Sequence, residues 1–302
     1  MTFSGPGAIL AALLLLATAL PAAQLGDAAP PLRIQSWIKG KPTDIKDGKT
    51  VHVIEFWATW CGPCRTTIPH LTELQNKFKK HGVTFVGVTD ESPETVKAFV
   101  EKMGDQMEYT VACDDSRSTS AGYMDAFGQR GIPHAFVVAK SGEILWHGHP
   151  MDGLSEILTR IVAGKYNLAT VQKSGQFAAA LRDYQELARD GDERATDKAR
   201  QLLADAGQDT ELLCQLAIGI AGDLRNRNRD FALARKAIAA AEAAAPKPTH
   251  NLLHAKAVVL FESGRKAEAI LAERQAVAAA DSDAAKNFYE RVLKFFEERK
   301  DD

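Results

Sequence analysis

The run Val53-Ile54-Glu55-Phe56-Trp57-Ala58-Thr59-Trp60-Cys61-Gly62-Pro63-Cys64 constrains this chain more than any other stretch. Val51 to Trp57 reads as a buried strand, because β-branched and aromatic side chains pack well on a pleated surface, and only His52 and Glu55 interrupt it. Beyond Cys64 the period changes: Ile68, Leu71, Leu74 and Phe78 recur every three or four residues, which makes one apolar helix face. Cys61 therefore falls where a strand gives way to a helix. The first N–H groups of a helix lack intrahelical partners there, and the aligned peptide dipoles favour a negative charge. A thiol in that place is expected to ionise below the ~8.5 of free cysteine, at about 7 or lower, so that part of it is nucleophilic thiolate at neutral pH. Cys64, one helical turn later, is close enough to form a disulfide with Cys61 and to release a mixed-disulfide partner. Pro63 sits in the first turn, where its missing N–H costs little.

A second segment fits the same chemistry. Gly131-Ile132-Pro133 precedes the apolar strand Ala135–Ala139. A cis proline at the head of a strand would expose the backbone of Ile132 for pairing with an extended substrate, whereas an ordinary trans proline would merely open an edge strand. The residues by themselves leave both readings open.

Phe56-Trp57-Ala58-Thr59-Trp60-Cys61-Gly62-Pro63-Cys64, followed about 70 residues later by Gly131-Ile132-Pro133, resembles the thioredoxin superfamily. The added segment from Asp90 to Arg130 and the lead-in from Pro30 to Gly48 are most similar to its TlpA/ResA branch of exported thiol-disulfide oxidoreductases. The resemblance spans roughly residues 28 to 165. It implies that Cys61 is the attacking thiol, Cys64 the resolving thiol and Pro133 the cis-proline facing them, with Trp60, Gly62, Pro63 and Ile132 touching substrate. Glu55 falls where thioredoxins carry a buried acid beneath the disulfide. Desolvation should raise its pKa and let it exchange a proton with Cys64 through water, unless it pairs with a lysine at the sheet margin.

The rest of the first half alternates strands and helices. Short pieces between Pro30 and Gly48 suggest a hairpin or small strands. They are followed by a strand at Val83–Val88, a helix at Pro93–Met103 capped by Ser92, and a short strand at Tyr109–Ala112. A brief helix at Ser118–Phe127, a hairpin of Ala135–Ala139 with Glu143–His147, and a helix at Leu154–Val162 capped by Asp152 complete a sheet with helices on both faces. Beyond Gly164 strand formers almost vanish. Leu233–Ala241 and Ala269–Ala276 repeat a spacing of small residues about 35 apart, each after another helix, which resembles tetratricopeptide repeats. A last helix carries Phe288, Val292, Leu293 and Phe296 on one expected face. The expected fold class is thus α/β, a thioredoxin-like fold over 24–165, followed by an all-α helical-repeat domain over 166–302.

Residues 1–23 carry no charge and hold the apolar run Ile9–Ala17 before small residues, the pattern of a secretory signal peptide or an uncleaved N-terminal membrane anchor. Export to the periplasm or beyond fits a Cys-x-x-Cys protein, since disulfides persist outside the cytosol. The expected partners are exported protein disulfide clients and a membrane-borne thiol reductant as electron donor, with a further protein partner on the helical repeats. The Gly62-Pro63 dipeptide resembles that of reducing thioredoxins and implies the reductase direction. The other reading is an adaptor that binds a partner through its repeats and keeps a redox-silent disulfide.

Charge excludes one class of function. There are 16 basic against 17 acidic residues over 24–165, and 21 against 22 over 166–302, so no basic stripe marks a nucleic-acid partner. Cys113 and Cys214 read as small buried hydrophobes, although a bridge between them would join the two halves. No second cysteine pair stands at zinc-finger spacing, and His134, His147 and His149 read as strand and loop residues, so no metal or other cofactor is expected beyond the Cys61–Cys64 disulfide. The Trp60-Cys61-Gly62-Pro63-Cys64 turn also lacks the threonine and arginine setting of a peroxide-cleaving thiolate.

Overall fold

The computed structural model describes residues 23–299, and its contacts divide the chain into two compact units, Met1–Leu168 and Ala169–Asp302. The expected leader at 1–23 lies, but for Ala23, outside the described residues. Among those residues no helix is long and apolar enough to cross a membrane.

The first unit is built on strands β1 (Ile34–Lys39), β2 (Val51–Phe56), β3 (Val83–Thr89), β4 (Thr110–Asp114), β5 (His134–Val138) and β6 (Ile144–Gly148), in the order β1-β4-β3-β2-β5-β6. β2 lies inside the sheet, parallel to β3 and antiparallel to β5, which is why all six of its residues are buried. Alternation then sorts its side chains. Val51 and Val53 join one core with Trp57, while Ile54 and Phe56 join the opposite one.

The first of these cores takes in Ile68 and Leu71 of α1 (Gly62–Phe78), Val96 and Val100 of α2 (Pro93–Met103), and Leu154 and Leu158 of α4 (Leu154–Val162). The other holds Tyr123 and Met124, from a short helical stretch that opens as α3 (Ser118–Ser120) and continues as a π-turn over Ala121–Asp125. In α1 the expected apolar face is the buried one, since Ile68, Leu71, Leu74 and Phe78 are all buried. Each such side chain contributes roughly 1.5–3 kcal/mol, and together they hold the N-terminus of α1 at the end of β2.

Two local expectations change. No hairpin forms between Pro30 and Gly48: the segment yields the single strand β1, paired antiparallel with β4, because Ile34 and Trp37 find Asp114 and Ala112 as partners rather than a neighbour in the same segment. Asp152 does not cap α4. Gly153, at φ 83, turns the chain into that helix with no side-chain cap.

The second unit is all helical: α5 (Leu168–Asp190), α6 (Arg194–Ala206), α7 (Thr210–Ala221), α8 (Phe231–Ala244), α9 (His250–Glu262), α10 (Lys266–Ala279) and α11 (Asp283–Glu298). Fully buried Ala234, Ala237 and Ala241 let α8 lie close against Leu213, Leu216 and Ile220 of α7. A Cβ on Gly219 would come within 2.6 Å of Leu181, so α5 and α7 also approach through a bare backbone. On α11 the buried face carries Tyr289 and Phe296. Phe288, expected inside, remains 44% exposed because Tyr289 takes the inward position and hydrogen-bonds Asn251.

Candidate active site

Cys61 is the N-cap of α1 and is bonded through sulfur to Cys64, with Cα atoms 5.3 Å apart. The Cys61 Sγ also accepts a hydrogen bond from the Cys64 N–H at 3.1 Å. That contact is the electrostatic core of the site, because a helix-terminal N–H aimed at sulfur would stabilise a thiolate there once the disulfide opens. Gly62 and Pro63 are exposed in the first turn, and a Cβ added to Gly62 would meet nothing within 4 Å. Cys64 is fully buried and Cys61 is 4% exposed, so of the two cysteines only the first reaches solvent.

The Ile132–Pro133 peptide is cis, and the Ile132 carbonyl oxygen lies 3.8 Å from Cys61 Sγ. Beside them is a cavity of about 360 Å³ whose walls include Phe56, Trp60, Arg117, Met124 and Ile132. Trp60 stands 71% exposed at its edge. Of the eight residues singled out from sequence, Cys61, Gly62, Pro63 and Cys64 share the first turn of α1, while Trp60 and Ile132 line one cavity. Pro133 is buried at the head of β5.

Glu55 is 1% exposed on the same face of β2 as Val53 and Trp57, between Gly87 of β3 and Ala135 of β5. Burial pushes its carboxyl up to about 8. Among the described residues neither carboxylate oxygen has a hydrogen-bond partner, nor do Trp57 Nε1 and the Tyr109 hydroxyl. No lysine among the described residues pairs with Glu55 at the sheet margin, and desolvation favours its neutral form.

One residue of the site carries no sequence signal. Glu91, in the loop after β3, accepts from the Thr59 N–H at 2.6 Å and from Thr59 Oγ1 at 2.7 Å, while Arg65 donates to the Thr59 carbonyl at 2.6 and 2.9 Å. The turn ahead of Cys61 is therefore held from two sides. Only the parallel pairing of β2 with β3, which brings their carboxyl ends together, places Glu91 there. Glu91→Ala should cost about 1–3 kcal/mol of stability by unpairing a half-buried N–H. Amide hydrogen exchange should be faster at Thr59, and an unchanged rate there would contradict the clamp.

Cys113 and Cys214 are free and buried, and burial raises their thiols to about 11 and about 12, which makes both unreactive. His134 and His147 bond to each other across β5 and β6 at 3.1 Å. Among the described residues no group of three or more His, Cys, Asp or Glu is arranged to hold a metal ion. The redox chemistry the site offers is that of the Cys61–Cys64 disulfide itself.

A mixed sheet with a Cys-x-x-Cys disulfide at the N-terminus of its first long helix defines a thioredoxin-like domain with a redox-type disulfide. The model of the AhpC/TSA family matches residues 25–147, and together with a relative 33% identical over 68% of its own length it shows that the chain belongs to this thioredoxin-like superfamily. The thiol-disulfide oxidoreductase ResA of Bacillus anthracis is 33% identical over 125 residues, 40% of this chain and 68% of that protein. The thiol:disulfide interchange protein HelX of Rhodobacter capsulatus is 33% identical over 132 residues, 42% of this chain and 69% of that protein. Among solved structures, a thiol:disulfide interchange protein from Bacteroides superposes with a TM-score of 0.41 at 23% identity, over 47% of this chain and 93% of its own.

Proposed function

We propose that this protein is an exported thiol-disulfide oxidoreductase of the TlpA/ResA type, working as a protein-disulfide reductase. The observation that carries the reading is the Cys61–Cys64 pair, its first sulfur capped by a helix N–H and set beside the Ile132 carbonyl. Cys61 thiolate attacks one sulfur of a client disulfide and expels the other as a thiolate. Cys64 then gives its proton to the ionised form of Glu55 and attacks the Cys61 sulfur, which releases the second client sulfur and closes the Cys61–Cys64 bond. The client disulfide gains two electrons and the dithiol loses them. The proton held by Glu55 passes to the departing thiolate.

Trp60, Gly62, Pro63 and Ile132 form the surface along which the client lies, and the buried Pro133 fixes the Ile132 backbone in that surface. The apolar leader at 1–23, as a signal peptide or an anchor, supports export, and a membrane-borne thiol reductant restores the dithiol. The division at 165/166 separates this redox domain from a tetratricopeptide-like one, which we assign to a protein partner. The similarity to ResA and HelX supports the redox half of the reading.

The test is Cys64→Ser in the native compartment. It should hold clients as mixed disulfides on Cys61, and those adducts should disappear on reduction. No adduct, with a Cys61–Cys64 bond in the parent chain that stays closed under mild reductant, would leave an adaptor with a static disulfide.

A further inference from the structure

Among the described residues four buried polar atoms lack a hydrogen-bond partner on the side of the sheet whose core holds Cys61 and Cys64: both Glu55 carboxylate oxygens, Trp57 Nε1 and the Tyr109 hydroxyl. They come from two segments, the end of β2 with Glu55 and Trp57 and the lead-in to β4 with Tyr109, and the sheet register explains why these share one core. Glu55 of β2 stands opposite Gly87 of β3 on one side and Ala135 of β5 on the other, so the two side chains that would flank it are the smallest available. The space over Gly87 is taken by the two rings. A Cβ built on Gly87 would lie 3.0 Å from Trp57 Nε1 and 3.0 Å from Tyr109 Cε2. Gly87 pairs with Val111 of β4, and Tyr109, two residues earlier, shares its face and its core with Val53, Trp57 and Cys64.

The chemistry of these groups is complementary. An ionised carboxylate only accepts hydrogen bonds and an indole N–H only donates, whereas a phenol can donate to a carboxylate or accept from a carboxylic acid. Tyr109 can therefore partner Glu55 in both of its protonation states. We propose that Tyr109, with the Trp57 indole beside it, is a positioning residue for Glu55. Its hydroxyl reaches the carboxylate through one water and holds the carboxyl group where it exchanges a proton with Cys64. The proposal rests on the reading of Glu55 as the base for Cys64.

Burial raises both the Glu55 carboxyl and the Tyr109 phenol, and the Glu55 charge raises the phenol further, so the two are electrostatically coupled. Cys113, on the same face of β4, is a further titratable side chain in this core, and Cys64 joins it only when the disulfide is open. Lys39 donates to the Met107 carbonyl and pairs with Glu108 at the rim.

Tyr109→Phe removes one oxygen and keeps the ring. Two readouts separate positioning from mere packing. One is an infrared titration of the Glu55 carboxyl in the oxidised protein, and the other is the pH profile of mixed-disulfide resolution. The bond to the ionised carboxylate is stronger than the bond to the neutral acid, so without the phenol the ionised form loses more, and the Glu55 midpoint should rise by about one pH unit, a tenfold weaker acid, with the resolution profile moving with it. In a Glu55→Gln background the same substitution should leave the resolution rate unchanged. A Glu55 midpoint within about 0.3 unit of the parent, a twofold effect, overturns the proposal. If Tyr109→Phe does not fold, Gly87→Ala, whose Cβ presses on both rings at 3.0 Å, is judged by the same midpoint. The larger reading fails separately: it falls if Glu55→Gln leaves the pH profile of resolution intact, whatever the infrared titration shows for Tyr109.

Discussion

At pH 9 the Glu55→Gln variant is expected to be more stable than the parent protein by about 4 to 5 kcal/mol, whereas at pH 4 the two should nearly coincide. Burial raises the Glu55 carboxyl from 4.5 to about 8 in the folded chain. Between those values the unfolded chain is ionised and the folded chain is still protonated, so the unfolded state binds fewer protons. Parent stability therefore falls as pH rises from about 4.5 to about 8 and is level above that. At about 1.4 kcal/mol per unit the interval sets the size of the gap. Glutamine has no proton to lose, so its stability lacks this slope. Denaturant unfolding of both oxidised proteins across that pH range tests the expectation, and parallel curves would show that Glu55 is not held neutral by burial.

Cys61→Ser should lower disulfide exchange by about three orders of magnitude or more, to the uncatalysed background, because the thiolate is the nucleophile and a serine hydroxyl has essentially no ionised fraction at neutral pH. Cys64→Ser should keep the first attack and lose only turnover. The contrast is required by the geometry: the Cys64 N–H points at the Cys61 sulfur, and Cys64 itself is fully buried. Alkylation with a small haloacetamide separates the two positions. In the reduced protein the sulfur at 61 should react fast and that at 64 slowly. Equal, slow rates at both would remove the basis for an enzyme.

The redox turn was legible because its chemistry is local. A strand-forming run, a Cys-x-x-Cys break and an apolar helical period stand side by side in the chain, and the helix N-terminus that they build is a property of neighbours. The alanine-rich helices were legible for the same reason, since a helical face is written within a few turns. Less was legible where the partner lies far along the chain. The Pro30–Gly48 segment alone does not show that β1 pairs with β4. Phe288 and Tyr289 are both apolar enough to be buried, and Asn251 on another helix decides that Tyr289 turns inward.

The residue order by itself determined that a thiol pair sits at the start of a helix, that an acid lies on the strand leading into it, and that helices alone follow. Tertiary structure decided what surrounds those groups: Glu91 on Thr59, the Ile132 carbonyl beside Cys61, and Gly87, Trp57 and Tyr109 around Glu55. The reason is physical. Local periodicity selects helix or strand from interactions within a few residues, whereas strand register is chosen by the packing of distant segments, and only register sets which side chains become neighbours across a sheet.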